Sequence, residues 1–449
     1  MPSLTQPRVS TEIPGPRSNE LLKRQADRES NARSYPRRLP IAVARAEGSL
    51  IEDLDGNVFL DCLAGAGVLS LGHGHPDLVA AAERQLKTFV HGLDLPTEPK
   101  DDFAEEQLGM LPESMRQSTR IQFCGPTGAN AVDAALKLCK TYTGRGDIVS
   151  FQGGFHGSTH AAMALTGLVE QKSPIANGLP GVHFFPYSSC HRCPLGLRRD
   201  TCDTNCATYL ERSLEDPNGG IAKPAAVILE LVQGEGGVIP ADADFVRRVR
   251  QVTRELDIPL IVDEVQTGCG RTGTWFAFEQ YGIEPDVIVA SKALSGMGLP
   301  AAVIMYHERL DTWAPGAHSG TFRGNQMAFA TGAEAIRVIR RDNILDNVRA
   351  RGEQLTNRLN ALAERCAWIS DVRGRGLMLG IELADPHTGE RASDLARSVQ
   401  SEALREGLIL ELGGRDDCVV RLLPPLVITE AEADFAADVL DRVLARLTA

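Results

Sequence analysis

The sequence of 449 residues lacks any apolar run long enough to cross a membrane, and its N-terminus lacks the apolar core of a secretory signal peptide. Basic residues are in the minority, because 47 lysines and arginines against 59 aspartates and glutamates give a net charge of −12. This charge argues against nucleic acid or an anionic membrane as a partner. Internal repeats and low-complexity segments are also absent. The ten cysteines are scattered, apart from four at 190–206, and this usage is typical of a reduced, cytoplasmic protein.

The order of patterns along the chain predicts an α/β protein with two domains. In residues 101–325, short and fully apolar runs alternate with amphipathic helical stretches, which is the pattern of a largely parallel sheet covered on both faces. Residues 326–449 contain long helices and two strand-like runs, and 31–100 contains a predicted hairpin at 48–61. We expect these two segments to contribute to one smaller α/β domain. Residues 1–30 are polar and contain prolines, so they are expected to form a mobile arm.

Three chemically reactive residues come directly after short apolar runs. Lys292, Asp263 and Glu230 each stand where a predicted strand ends. Because sites in parallel sheets lie at the carboxyl ends of the strands, these residues are expected to share one cleft. A lysine beside an acid is what a pyridoxal phosphate (PLP) enzyme needs, since the lysine forms a Schiff base and the acid keeps the pyridine nitrogen protonated. Taken singly, such a lysine is usually a solvated surface residue, and such a glutamate often makes a structural salt bridge.

Two glycine-containing segments follow other predicted strands. Segment 124–131 (CGPTGANA) opens a helix with small residues, so that free backbone N–H groups and the helix dipole can attract a phosphate. On its own it fits a plain strand-to-helix turn equally well. Segment 153–157 (GGFHG) places an aromatic side chain where it could stack on a flat ring, although most such aromatic residues belong to the core.

Together these segments resemble the class III (omega) aminotransferases, which are fold-type I PLP enzymes, from about Leu39 to the end of the chain. The resemblance implies an α/β fold with a large domain around a mostly parallel seven-stranded sheet and a smaller α/β domain. It also implies a homodimer with shared active sites, which takes a small-molecule amino donor and a 2-oxo acid acceptor. The motifs that match, in order, are 124–131, GFHG at 154–157, ExxQGEGG at 230–237, DEVQTGxGRTG at 263–273, Ser-Lys at 291–292 and GTFRGN at 320–325.

The same resemblance implies which residues hold the cofactor. Lys292 would form the Schiff base with PLP and move the substrate proton, and Asp263 would hold the pyridinium. Val265 and Phe155 would pack on opposite ring faces, and Thr321 would reach the phosphate bound in the neighbouring subunit. The cofactor-binding residues are expected to be Thr127, Gly128, Ala129, Phe155, His156, Asp263, Val265, Gln266, Lys292 and Thr321, with Gln266 near the ring hydroxyl.

Substrate binding is expected to centre on Arg421. Its planar guanidinium suits the carboxylate of a 2-oxo acid, which it can grip at two points. The family resemblance implies that Glu230, a catalytic residue with Lys292 and Asp263, pairs with Arg421 when the substrate has no α-carboxylate there. Tyr35 is a candidate for shaping the pocket, although it could also be a core residue.

The phosphate loop departs from the general family, because Asn130 stands where many members have a glutamate. In this loop and at 33–35, 63–67, 91–94 and 318–325, the chain resembles the branch that acts on 2,4-diaminobutyrate and 2-oxoglutarate. The implied reaction moves the 4-amino group of L-2,4-diaminobutyrate to 2-oxoglutarate and gives L-aspartate 4-semialdehyde and L-glutamate. The alternatives are another omega-aminotransferase, acting on ornithine, 4-aminobutyrate or a secondary-metabolite amine or aldehyde, or a PLP racemase or aminomutase.

Four cysteines form a separate cluster. Two residues separate Cys190 from Cys193, and three residues separate Cys202 from Cys206. Four thiolates could bind zinc, but the second pair is more widely spaced than usual. Free thiols, or a disulfide formed on oxidation, are the competing interpretations. We therefore predict no metal in the functional site.

Overall fold

The computed structural model describes residues 3–175 and 178–449, which fold into three main sheets with helices packed around them. The strands are β1 (Val43–Glu47), β2 (Leu50–Asp53), β3 (Val58–Asp61), β4 (Thr119–Phe123), β5 (Ile148–Phe151), β6 (Val182–Phe185), β7 (Ala226–Leu229), β8 (Val232–Gln233), β9 (Ile239–Pro240), β10 (Leu260–Asp263), β11 (Val287–Ala290), β12 (Val303–His307), β13 (Ile369–Arg375), β14 (Met378–Leu383), β15 (Leu408–Ile409), β16 (Glu411–Gly413) and β17 (Val419–Leu422).

Helices surround these sheets, and none of the described helices is both long and apolar enough to span a membrane. The α-helices are α1 (Pro16–Arg28), α2 (Tyr35–Arg38), α3 (Ala64–Gly67), α4 (Pro76–Leu86), α5 (Glu98–Gly109), α6 (Glu113–Arg116), α7 (Gly128–Thr143), α8 (His160–Leu165), α9 (Asn205–Glu215), α10 (Ala243–Glu255), α11 (Gln326–Arg341), α12 (Ile344–Ala363), α13 (Ser393–Arg405) and α14 (Glu430–Leu447). Short 3-10 helices cover Ala277–Tyr281, Lys292–Ser295, Glu308–Leu310, Thr321–Gly324 and Arg415–Asp417.

The largest sheet has seven strands in the order β4-β12-β11-β10-β7-β5-β6, and β12 runs antiparallel to both of its neighbours. Its central strands are buried on both faces, which explains their fully apolar sequences. In β10, Ile261 packs into one core cluster, whereas Leu260 and Val262 pack into the cluster on the other side. The expected mostly parallel seven-stranded sheet is therefore confirmed.

The second unit is built from both ends of the chain. Strands β13, β14, β17 and β16 form an antiparallel sheet, and its core includes residues of helices α12, α13 and α14. The predicted hairpin is formed by β2 and β3, and β3 pairs in parallel with β15 through Leu60 and Leu408. This pairing joins the N-terminal segment to the C-terminal part of the chain. The domain boundaries given above stay predictions.

Much of the segment predicted to be a mobile arm contacts this hairpin. The backbone amides of Arg17 and Ser18 each donate to the Asp55 carboxylate at 2.8 Å, and Ser18 is fully buried. Arg8 forms a β-bridge with Val58. Residues 1 and 2 lie outside the described ranges, as do residues 176 and 177 of the predicted large domain. The mobility of the arm stays a prediction.

Candidate active site

The three reactive residues stand at the carboxyl ends of adjacent strands. Asp263 is the last residue of β10, Lys292 opens the 3-10 helix that follows β11, and Glu230 directly follows β7. The register pairs Asp263 with Val289 and Ile261 with Ile228, so these strand ends lie side by side. The topology thus brings the three residues to one edge of the sheet, and a shared cleft there stays a prediction.

Lys292 has an unusual backbone and a partly buried side chain. Its φ of +43° lies in the left-handed region, which costs a non-glycine residue about 1–2 kcal/mol and is found most often at functional sites. Burial lowers the pKa of the Lys292 ammonium, Glu235 opposes this effect, and Arg421 adds to it. The net lowering favours the neutral amine, which is the form that acts as a nucleophile or a base.

Asp263 is held in one orientation by two hydrogen bonds. His156 Nδ1 lies 2.8 Å from Asp263 Oδ2, and both side chains are buried. The backbone N–H of Val265 donates to Asp263 Oδ1 at 3.1 Å. Burial lowers the pKa of His156, but the hydrogen bond to Asp263 and its charge outweigh this effect and raise the pKa overall. This shift favours the protonated form of His156, which would place a positive charge beside the carboxylate.

The predicted phosphate loop forms the start of α7. Thr127 caps this helix by accepting from the backbone N–H of Asn130 at 3.2 Å. The first-turn amides of Gly128 and Ala129 have no partner within the helix, so they can bind an anion. Asn130, the departure from the family pattern, accepts from the Gly125 amide at 2.7 Å and lies 3.0 Å from Nε2 of His318. The Asn130 carboxamide therefore connects Gly125 and His318 to the start of α7.

Glycines allow the cofactor-binding segments to approach one another closely. A Cβ on Gly128 would lie 3.0 Å from Cγ1 of Val265, two residues after Asp263. A Cβ on Gly157 would lie 2.5 Å from Cβ of Ala129, so segment 153–157 packs against the same helix start. Lys292 offers an amine, Asp263 a buried carboxylate and the start of α7 free backbone amides, and these groups suit an aldehyde, a ring nitrogen and a phosphate. The residues present therefore fit PLP.

The ion-pair partner of Arg421 is not the predicted residue. It is fully buried on β17, and its Nη1 lies 3.0 Å from Oε1 of Glu235 and 3.4 Å from Oε2 of Glu411. Its Nη2 donates to Oε1 of Gln266 at 3.1 Å. The expected pairing of Glu230 with Arg421 is therefore wrong for this structure, and Glu235 takes that place.

Glu230 does not pair with Arg421 because of the turn that follows β7. Glu230 uses both carboxylate oxygens on backbone N–H groups, at 2.8 Å from Phe155 N and 3.0 Å from Gly234 N. Burial raises the pKa of Glu230 to about 7, and the charge of His156 opposes the rise. The chain then forms the β8–β9 hairpin, with Glu235 in its turn, and the Glu235 carbonyl accepts from Gly414 N at 2.9 Å. This contact places Glu235 beside β16 and β17.

Tyr35 is not a core residue, because 49% of its surface is exposed. Its hydroxyl donates to Oε1 of Glu411 at 3.1 Å, and burial of that hydroxyl together with the charge of Glu411 raises its pKa. Tyr35, Glu235 and Glu411 line one cavity of about 750 Å³. The cavity gives a path from solvent to the residues around Arg421.

Thr321 opens an exposed 3-10 helix beside the phosphate loop of its own chain. A Cβ on Gly320 would lie 3.4 Å from Cα of Gly125, and Nε2 of His91 lies 2.6 Å from the Thr321 carbonyl oxygen. Contact between Thr321 and a neighbouring subunit stays a prediction. Stacking by Phe155 and Val265 and the approach of Gln266 to a ring hydroxyl also stay predictions.

Two site residues were missed by sequence reasoning. Glu235 lies within the quoted motif at 230–237, but the rule that favours strand ends pointed to Glu230. Glu411 has no sequence signal of its own, because only the register of β16 against β17 places it opposite Arg421. An acidic residue flanked by glycines, at 234–237, was the available signal for Glu235.

The clustered cysteines lie away from these residues. Cys190, Cys193, Cys202 and Cys206 are free thiols that line one small cavity. Across residues 3–175 and 178–449, no three His, Cys, Asp or Glu side chains are arranged to hold a metal ion.

The chain is similar to known aminotransferases in sequence and in fold. A family model described as aminotransferase class III matches residues 31–444. A diaminobutyrate–2-oxoglutarate aminotransferase from Rhizobium meliloti (strain 1021) is 50% identical over 435 residues, which are 95% of this chain and 92% of the relative. A protein of the same name from Haemophilus influenzae is 46% identical over 426 residues, 93% of each chain. The PLP-bound structure of an amine transaminase from an uncultivated Pseudomonas species has a TM-score of 0.84 and 27% identity, and the match covers 93% of this chain and 98% of that one.

Proposed function

Because the chain belongs to the class III aminotransferases, we propose that it transfers the 4-amino group of L-2,4-diaminobutyrate to 2-oxoglutarate with PLP as its cofactor. The products are L-aspartate 4-semialdehyde and L-glutamate, and the reaction is reversible. Relatives at 50% and 46% identity have this activity in their names. The observation that carries the proposal is the fully buried Arg421, close enough to the strand-end Lys292 to act on its charge.

The cofactor fits among residues from four segments. Lys292 would bind it covalently, Asp263 would hold its ring nitrogen, and the amides of Gly128 and Ala129 with Thr127 would hold its phosphate. When bound, PLP supplies an electron-withdrawing ring that stabilises negative charge at the reacting carbon of the substrate.

Lys292 and Asp263 have distinct tasks in this proposal. Lys292, with its lowered pKa, would take a proton from the reacting carbon of the amino donor in one half-reaction and would deliver a proton to the reacting carbon of the acceptor in the other. Asp263 keeps a proton at the ring nitrogen, and His156 and the Val265 N–H fix its two oxygens. His156 is therefore a positioning residue.

Arg421 allows one site to accept two kinds of substrate. Its Nε makes no hydrogen bond to any residue in the described ranges, and its Nη1 contacts only the carboxylates of Glu235 and Glu411, so both atoms could receive the α-carboxylate of glutamate or 2-oxoglutarate once Glu235 moves aside. Burial raises the pKa of Glu235, but the charge of Arg421 outweighs this effect and lowers it, so Glu235 is ionised. We infer that Glu235 neutralises Arg421 when the terminal amine is bound and moves aside for the α-carboxylate.

We also propose a homodimer in which Thr321 reaches the partner's phosphate site. Gly92 N donates to the Gly324 carbonyl at 3.0 Å, which places segment 86–95 beside the helix of Thr321. The two segments expose a cluster of large apolar side chains: Leu86, Phe89, Val90, Leu93, Leu95 and Phe322. Exposed apolar clusters mark protein–protein interfaces. The ten free cysteines favour the cytoplasm as the location.

The test is a set of half-reactions without an amino acceptor, followed by the visible absorbance of the protein-bound cofactor. We expect L-2,4-diaminobutyrate and L-glutamate to change the absorbance quickly, and ornithine and 4-aminobutyrate to change it slowly. A rapid change with glutamate and a different amine would move the substrate to that amine. Continued turnover of one amino acid without any acceptor would instead indicate a racemase.

A further inference from the structure

Glu411 has one carboxylate oxygen without a hydrogen-bond donor. Its Oε1 accepts from the Tyr35 hydroxyl at 3.1 Å. Its Oε2 is shielded from solvent and makes no hydrogen bond to residues 3–175 or 178–449, although Nη1 of Arg421 lies 3.4 Å away. A buried acceptor without a donor is costly, so a ligand that supplies a cationic donor would be stabilised there.

The charges around Arg421 also leave room for a cation. Glu235 and Glu411 both face this one guanidinium, and Glu235 is the closer of the two, at 3.0 Å against 3.4 Å. Glu235 is the closer partner of Arg421, so Glu411 is the less strongly paired of the two carboxylates. Burial raises the pKa of Glu411, and the charge of Arg421 opposes the rise. A second positive group would therefore favour its ionised form.

The proposed substrate brings such a group. When the 4-amino group of L-2,4-diaminobutyrate is at the reaction centre, its α-ammonium and α-carboxylate point away from the chemistry. 4-Aminobutyrate has the same carbon chain and carboxylate but lacks the α-ammonium. Arg38, Arg391 and Arg415 line the same cavity as Glu411. Arg38 and Arg391 pair with Asp417 and Asp416, so Arg415 is the guanidinium best placed to meet the adjacent carboxylate.

We propose that Glu411 is the specificity-determining residue that accepts the α-ammonium of the diamino acid, with Tyr35 holding the Glu411 carboxylate in position. This inference rests on the proposed function. Glu411 and Arg421 are cross-strand neighbours on β16 and β17, so one pair of strands presents the groups that recognise the two substrates. Gly413 leaves space for the Arg421 side chain, because a Cβ there would lie 2.6 Å from Cδ of Arg421.

The main test compares two substrates in the wild type and in Glu411→Gln. The quantity measured is kcat/KM for L-2,4-diaminobutyrate divided by kcat/KM for 4-aminobutyrate. We expect this ratio to fall by about 10- to 100-fold in the variant, because a hydrogen bond between two charged groups is lost. Tyr35→Phe should lower the ratio by a smaller factor, since the carboxylate remains but loses its anchor. Glu364→Gln, at an exposed position on another face, is the matched control and should keep the wild-type ratio.

A second measurement uses only the wild-type enzyme. 1,3-Diaminopropane is L-2,4-diaminobutyrate without its carboxylate, and it keeps the ammonium that Glu411 would accept. It should therefore react faster than 4-aminobutyrate. An equal or slower rate for 1,3-diaminopropane would overturn the assignment, whether or not the variant folds.

The outcomes separate this inference from the function on which it rests. Glutamate reports that the enzyme holds its cofactor and is active. If the wild type uses glutamate but not L-2,4-diaminobutyrate, the proposed function fails and the role of Glu411 falls with it. If the wild type uses both and Glu411→Gln keeps the wild-type ratio, the proposed function stands and the role of Glu411 is refuted.

Discussion

Replacing Glu235 with glutamine removes one negative charge from the partners of Arg421 and keeps the size of the side chain. Arg421 is fully buried, so its charge cannot be compensated by water. The Glu235 side chain is 28% exposed, and Glu411 remains 3.4 Å from the guanidinium. The loss is therefore expected to match one hydrogen bond to a charged group, about 1.5–3 kcal/mol, rather than the larger cost of breaking a fully buried ion pair.

This loss should affect the two half-reactions in opposite directions. With L-2,4-diaminobutyrate, Arg421 depends on Glu235 for neutralisation, so kcat/KM should fall by about 10- to 150-fold. With glutamate, the α-carboxylate of the substrate binds Arg421 in place of Glu235. Removal of the competing Glu235 carboxylate should therefore leave the KM for glutamate equal or lower. Stopped-flow absorbance of each half-reaction gives both values. An equal loss for the two substrates would refute the exchange of partners at Arg421.

The remaining predictions concern the lysine, the arginine and the buried acids. Lys292→Ala should abolish both turnover and the absorbance of covalently bound cofactor, and near-normal turnover would contradict its assigned role. Arg421→Ala should weaken glutamate and 2-oxoglutarate far more than L-2,4-diaminobutyrate, as KM values will report. Burial raises the pKa of Glu264 from 4.5 to about 7, so folded Glu264 binds more protons than unfolded Glu264 between these pH values, and its contribution to stability falls as pH rises through that window. Denaturant unfolding should therefore show a smaller change in the free energy of unfolding between pH 5 and pH 7 for Glu264→Gln than for the wild type.

Local sequence patterns were sufficient for the parts of the site that depend on strand ends. Asp263 ends β10 and Lys292 follows β11, and both strands are buried on both faces. Their parallel pairing brings these strand ends together independently of the loop conformations. The helix start at Gly128 is equally local, because small residues and a capping threonine define it. The order of these motifs identified the family before any tertiary contact was known.

The partners of Arg421 could not be predicted in the same way. Glu230 and Glu235 are five residues apart, and the choice between them depends on which backbone amides the turn after β7 leaves free. Glu411 depends on a strand register, and Tyr35 meets it across 376 positions of sequence. Hydrogen bonds between residues far apart in the chain produce no repeating pattern in a single sequence. The residues at the reacting end of the substrate were therefore easier to predict than those that recognise the rest of it.

The hairpin turn that contains Glu235 also affects which substrate lengths the enzyme accepts. Lys292 follows β11 of the large sheet, Arg421 lies on β17 of the C-terminal sheet, and Glu235 of the turn acts on the charges of both. Nε of Arg373 donates to the carbonyls of Gly237 and Val238 at 3.0 and 3.2 Å, and a Cβ on Gly380 would lie 3.0 Å from Val238. Contacts of Arg373 and β14 with this turn therefore help to set the span between the amine and the carboxylate, and we predict that a larger residue at Gly380 would move the turn and change the preferred substrate length.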